Sequence, residues 1–179
     1  GIVAAMRRGS WVDGVVSVAA LVVYATPQFW LGLMLIVLFS VGLGILPSGG
    51  MMTIGRDLGF FTSALDIARH LVLPATTLGL FYVAVYARLM RASMLEVYTL
   101  DFIVTARAKG LSESRIGLTH AARNAMLPVV TLAGVQIGHI LGGSILVETV
   151  FGWPGLGLLV FDALLQRYLN LLLGILFTS

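Results

Sequence analysis

The sequence predicts an all-α membrane protein, a polytopic bundle of helices. Three observations predict it: long uncharged apolar stretches, few charges overall, and a concentration of those charges in one central segment. Of the 179 residues, 59% are hydrophobic and 11% charged. A soluble domain carries about a quarter charged residues. With a mean hydropathy of +1.01, the chain has too few polar side chains to cover its apolar surface, so lipid surrounds much of it. The formal charge of +3 needs no nucleic acid to explain it. Cytoplasmic loops of membrane proteins collect Lys and Arg. There is no cysteine, which excludes disulfides and thiolate metal sites.

The apolar run Gly1 to Met6 precedes Arg7-Arg8, the reverse of the order in a signal peptide. It reads as the tail of an earlier membrane helix. Gly14 to Leu46 is uncharged. As one straight helix it would be about 50 Å long, well beyond the roughly 30 Å of hydrocarbon. Pro27 resolves the excess, because proline removes a helix donor and disfavours helical geometry at Thr26. The expected pieces are a helix from about Val12 to Ala25 and another from about Gln28 to Leu43. Gly44 to Leu71 is a mixed connection whose charges, Arg56, Asp57, Asp66 and Arg69, cancel. The next helix is expected to start near Leu73-Pro74, where proline suits a first turn, and to run to about Tyr98.

Leu100 to Arg123 is the polar centre, with Asp101, Arg107, Lys109, Glu113, Arg115, His120 and Arg123. Two short helices split at Gly110 are expected, Ser112 capping the second and Glu113 lying in its first turn. An uncharged span follows from Ala125 to Val147, then the aromatic turn Phe151-Gly-Trp-Pro-Gly155, then a short helix from about Leu158 to Gln166. Leu171 to Phe177 reads as an unfinished helix. The whole is expected to be one transmembrane domain, 1–179, with spans at about 12–43, 73–98, 125–147 and 168–179, truncated at both ends. Positive charge puts the loop 100–123 and Arg7-Arg8 on the cytoplasmic side and the other two connections outside.

Gly134, Gly138 and Gly142 repeat every four residues and share a face suited to close helix packing. Gln136, His139 and Gly143 form another stripe, read either as pathway lining or as satisfied interhelical polar contacts. Glu148 is either an interfacial carboxylate or a polar group at the outer mouth. Arg88 and Arg91 are interfacial anchors, inner-mouth groups, or partners of Glu96 or Asp101. No second ligand stands at helical spacing from a histidine, so no metal site is expected. No GxxxxGK[ST] phosphate loop occurs, so this chain is not expected to hydrolyse ATP.

Asp101-Phe-Ile-Val-Thr-Ala-Arg-Ala-Lys-Gly-Leu-Ser112, continued by His120-Ala-Ala-Arg-Asn-Ala-Met-Leu-Pro128, resembles the membrane subunits of binding-protein-dependent ABC importers, in their dipeptide/oligopeptide/nickel branch. Pro27-Gln-Phe-Trp30, Leu46-Pro47, Arg88-Leu-Met-Arg-Ala-Ser-Met94 and Glu148-Thr-Val-Phe-Gly-Trp-Pro-Gly-Leu-Gly157 extend the likeness over nearly the whole chain. The resemblance implies the type I importer permease (MetI-like) fold. It also implies that the loop around Gly110 carries the family's EAA motif and couples to an ATPase through Ala106, Lys109, Gly110, Ser112, Glu113, Arg115 and His120.

The EAA positions here read Val104-Thr105-Ala106, and the Leu-Pro expected after the glycine falls at Ala122-Arg123. These departures resemble the B-like member of the paired subunits, and they leave Val104 and Thr105 without the usual glutamate's role. The resemblance implies a second permease subunit, two ATPase subunits carrying ATP and Mg, an external solute-binding protein, and a bacterial or archaeal cytoplasmic membrane. Peptides, glutathione, nickel chelates and other small solutes use such subunits, and much of the selectivity lies in the binding protein. An ATPase-independent channel or carrier using Gln136, His139 and Glu148 is the alternative; its signature would be an inverted internal repeat, and no convincing one is visible.

Overall fold

The computed structural model describes residues 1–53, 59–141 and 144–165, and every regular element among them is helical. Short helix α1 is Ile2–Met6 and α2 is Trp11–Ala25. Ser10 and Asp13 build the start of α2. The Asp13 N–H donates to Ser10 Oγ at 3.3 Å, and the Asp13 carboxylate accepts the Gly9 N–H at 3.1 Å. Such reciprocal bonds satisfy donors that a helix start leaves without partners. The expected break falls at Thr26-Pro27, and α3, Gln28–Leu35, runs into a π-helical stretch, Ile36–Gly42.

Helix α4 is Phe60–Val97, with Pro74 inside it. The helix expected to begin at Leu73-Pro74 therefore begins a full thirteen residues earlier at Phe60. Proline forbids only one donor, and the turns before it are held by their own bonds. Beyond it, the Thr76 and Thr77 hydroxyls donate to the Val72 and Leu73 carbonyls at 2.6 and 2.9 Å. Asp66 also pins this extension, accepting the Thr53 N–H and hydroxyl at 2.6 and 2.9 Å. At ~1.5 Å per residue, 38 residues exceed the roughly 30 Å needed to cross hydrocarbon. By length and composition α4 suffices alone to span a membrane, whereas Trp11–Ala25 with Gln28–Gly42, and Ile145–Phe151 with Leu156–Leu165, suffice only as bent pairs.

Next come α5, Asp101–Ala108, and α6, Glu113–Arg115, which passes through a π-helical turn, Ile116–Ala121, into α7, Ala122–Leu141. The second loop helix, expected to end within the loop 100–123, does not stop. Neither a proline nor a positive-φ glycine stands at the junction, Ala121 and Ala122 favour helix, and the helix continues past Pro128. Ser144 is extended, at φ −114° and ψ 93°, so α8, Ile145–Phe151, is a separate helix and not the end of a span reaching Val147. Helix α9 is Leu156–Leu165, bent 94° from α8. The last expected span, 168–179, lies outside the described residues.

The chain forms two compact units. One unites Gly1–Ala25 with Phe81–Gln136, around Ala5, Met90, Met94, Val97, Ile103, Ala106, Ile116, Ala121, Ala122 and Ala125. The other comprises the described residues of Thr26–Leu80 and those from Ile137 to Leu165. Its core is Leu73, Val147 and Phe151, flanked by Leu35, Ile36 and Phe39.

Candidate functional site

The loop after α5 is built on a defined backbone closure. Gly110 has φ +78°, a left-handed value that glycine adopts without steric cost. Its N–H donates to the Arg107 carbonyl at 2.9 Å, and the Leu111 N–H to the Ala106 carbonyl at 3.3 Å. This is the Schellman pattern, with Leu111 packed against the core beside Ala106. Across the glycine, Arg107 Nε and Nη2 donate to the two Glu113 oxygens at 2.7 and 3.2 Å. The hydrogen bond from Arg107 holds the Glu113 carboxyl below its ordinary pKa, and the same bond raises that of Arg107.

Ser112 stands at the expected N-cap with extended backbone, but its hydroxyl caps nothing. It lies 3.4 Å from Ser114 Oγ, and only its carbonyl serves the helix, accepting the Ile116 N–H at 3.0 Å. Of the coupling-loop candidates, Lys109, Gly110, Ser112, Glu113 and Arg115 are exposed, His120 is half-buried, and Ala106 is buried in the core. Ala106 therefore packs beneath the loop's surface.

Arg91 pairs with Asp13, and not with Glu96 or Asp101, the partners considered for it as one alternative. Its Nε and Nη2 donate to the two Asp13 oxygens at 2.6 and 2.8 Å. Glu96 is five residues on, off the helix face that three- and four-residue spacings share, and Asp101 lies beyond the end of α4. Asp13 is buried and also accepts the Ser17 hydroxyl at 3.3 Å. Sequence reasoning missed Asp13. The signal was Ser10 followed three residues later by a carboxylate at the head of an apolar run. Arg88 is exposed and sits 4.7 Å over the Tyr24 ring, a cation–π contact. Tyr24 stacks in turn on Phe81, with centroids 6.1 Å apart.

Gln136 is half-buried on α7. Gly143 and the side chain of His139 lie outside the described residues, as do Gly142 and any side-chain packing at Gly138. Space around Gly134 is open. Glu148 is half-buried, and both of its carboxylate oxygens are engaged by backbone. Oε1 accepts the Ser144 N–H at 3.1 Å and Oε2 the Leu158 N–H at 2.7 Å. Among the described residues, no group of three or more His, Cys, Asp and Glu could hold a metal ion.

Among the described residues, apolar helices, one of them long enough by itself to cross a membrane, lie on either side of a charged, glycine-closed joint, the pattern of a polytopic membrane protein. A family model described as "Binding-protein-dependent transport system inner membrane component" matches residues 1–179. The chain belongs to that family. It is 45% identical over 181 residues to the di/tripeptide transport system permease protein DppB of Pseudomonas aeruginosa (strain UCBPP-PA14), covering 93% of this chain and 54% of that one. To the dipeptide transport system permease protein DppB of Escherichia coli (strain K12) it is 43% identical over 187 residues, covering 93% and 54%. To the oligopeptide transport system permease protein AppB of Bacillus subtilis (strain 168) it is 42% identical over 167 residues, covering 93% and 52%. The chain spans about half the length of these relatives.

Proposed function

We propose that this chain is the membrane core of a permease subunit in an ATP-driven importer of peptides or similar small solutes. One observation carries the reading: the joint at Gly110 opens directly into helical backbone that continues from Glu113 to Leu141, through the π-helical turn Ile116–Ala121 and past Pro128. A force applied to the exposed surface of Lys109, Ser112, Glu113 and Arg115 reaches α7 through continuous helical backbone, with no loop between. An ATPase docked there would convert its own closure into movement of the spans and so alternate access to the pathway. The energy source, ATP with Mg, belongs to that partner. A second permease subunit and an external solute-binding protein complete the assembly in the cytoplasmic membrane, with 100–123 on the cytoplasmic side.

Arg88, Gln136, His139 and Gly143 are the pathway-lining residues of this proposal. Arg91 and Glu148 are withdrawn from that set, because Asp13 and backbone N–H groups already occupy their charged atoms. The ATPase-independent carrier draws no support from the relatives, each described as a transport system permease protein.

The test is Gly110→Val in the whole permease, assembled with its partners in proteoliposomes. The variant is expected to assemble, to hydrolyse ATP, and to lose the link between hydrolysis and uptake. Uptake at the native ratio to ATP hydrolysed would overturn the role given to the joint.

A further inference from the structure

The turn between α8 and α9 is wrapped around a carboxylate. Glu148 sits in α8, and its side chain reaches back to the N–H of Ser144, before that helix, and across to the N–H of Leu158, in the first turn of α9. Both donors belong to helix starts, where N–H groups lack partners within the helix and the dipole favours negative charge. The residues between complete the enclosure. A Cβ on Gly155 would collide with the Glu148 carboxylate carbon, and one on Gly157 would lie 2.8 Å from the Ile145 nitrogen and 3.1 Å from Glu148 Oε2. The backbone of Glu148 takes part as well, its carbonyl accepting the Trp153 N–H at 2.9 Å. One residue thus holds three points of the segment 144–158.

We propose that Glu148 is a positioning residue, whose carboxylate buckles the turn and sets the bend of α9 against α8 that uptake requires. The transport part of this statement rests on the permease reading; the buckle does not. Glutamine cannot replace the carboxylate here. Its amide offers one acceptor oxygen and points a donor at the second N–H. Alanine removes both acceptors and empties the space that a Cβ at position 155 needs.

The experiment uses the assembled whole permease, with any cysteine outside these 179 residues first replaced. The 179 residues contain none. A single cysteine at Leu159, exposed on α9, reports opening of the turn by its labelling rate with a maleimide. E148Q, E148A and G155A are each expected to speed labelling about tenfold, the scale of one lost hydrogen bond to a charged group. G155A is expected to add nothing in the E148A background, because the group its methyl strikes is gone.

Additive effects of E148A and G155A, or E148Q labelling at the native rate, overturn the buckle. E148Q, which conserves side-chain size, keeps the test decisive if E148A fails to accumulate. Uptake is read on the same preparations. If labelling follows the expected pattern and uptake is untouched, the transport role falls. If the unmutated complex shows no ATP-dependent uptake, the permease reading falls, and the labelling pattern still decides the buckle. A Glu148 that lined the pathway would instead change uptake in E148Q without changing labelling, and the E148A background would not suppress the effect of G155A.

Discussion

After Ala108 and after Phe151 the backbone makes the same turn. A glycine takes a left-handed φ, +78° at Gly110 and +58° at Gly152, and crossed hydrogen bonds close the helix end. In the first closure the carbonyls are those of Ala106 and Arg107, and in the second those of Glu148 and Thr149. Each turn also has a glutamate, and there the likeness stops. Glu113 takes an arginine across an exposed surface, where 66% of its side-chain area is open to solvent. Glu148 takes two backbone N–H groups in a turn made of apolar residues and glycine. Water can replace the Arg107–Glu113 tie at small cost, since exposed ion pairs contribute little. The donors around Glu148 are half-buried, so water replaces the carboxylate there less readily. The difference teaches that the Gly110 joint is a stiff surface held by replaceable bonds, whereas the Gly152 turn is a closed element built to keep one angle.

The sharpest way to break the comparison is to add one methyl group to each turn. G157A meets the Ile145 nitrogen at 2.8 Å, a backbone atom that cannot swing aside. Overpacking of that kind costs about 3 kcal/mol. G110A meets nothing within 4 Å and faces only the left-handed φ, about 1 kcal/mol. Thermal unfolding of the purified permease is expected to show a clearly larger drop in Tm for G157A than for G110A. Equal drops would erase the distinction between a closed turn and an open one.

Salt sharpens the same comparison with a smaller effect. R107Q, or high salt on the native chain, is expected to speed amide exchange at Ser112 to Arg115 by a few-fold at most. At about 1 M salt the screening length is roughly 3 Å, comparable to the ion-pair distance. The amides of Ser144 and Leu158 are expected to keep their native exchange rates in the same buffer. Loss of their protection would mean that the Glu148 carboxylate is as exposed to water as Glu113.

These contrasts explain which parts of the molecule could be read from the residues. The break at Pro27 was legible because a missing donor acts locally. Gly110 was legible because a glycine between two charged helical stretches has few other uses. The start of α4 was not, because Pro74 suits a first turn and is also tolerated inside a helix whose neighbouring turns stay bonded. The Asp13–Arg91 pair joins residues 78 apart, and no periodicity connects them. Ser112 had the residue type of a cap, yet its hydroxyl makes no cap bond. Glu148 was recognised as unusual, but its hydrogen-bond partners were not foreseen. Its donors, at Ser144 and Leu158, come together only after the turn has formed.

Acid gives the smallest effect and the most specific one. Arg107 depresses the Glu113 pKa from its ordinary value of 4.5, chiefly through their hydrogen bond. A depressed carboxyl pKa means that the folded joint binds a proton less readily than the unfolded chain does. The stabilisation is therefore fully present above about 4.5, declines as pH falls, and is gone once pH has passed below the depressed value. Between neutral pH and 4.5 no change is expected at Glu113. The side-chain carboxyl carbon, followed by NMR in a Glu113-labelled permease, is expected to titrate below 4.5 in the native chain and to move back toward 4.5 in R107Q. An unchanged midpoint in R107Q would show that the guanidinium does not hold Glu113 in solution. The joint at Gly110 would then depend on its backbone closure alone, and the two turns would differ in having a buckle or having none.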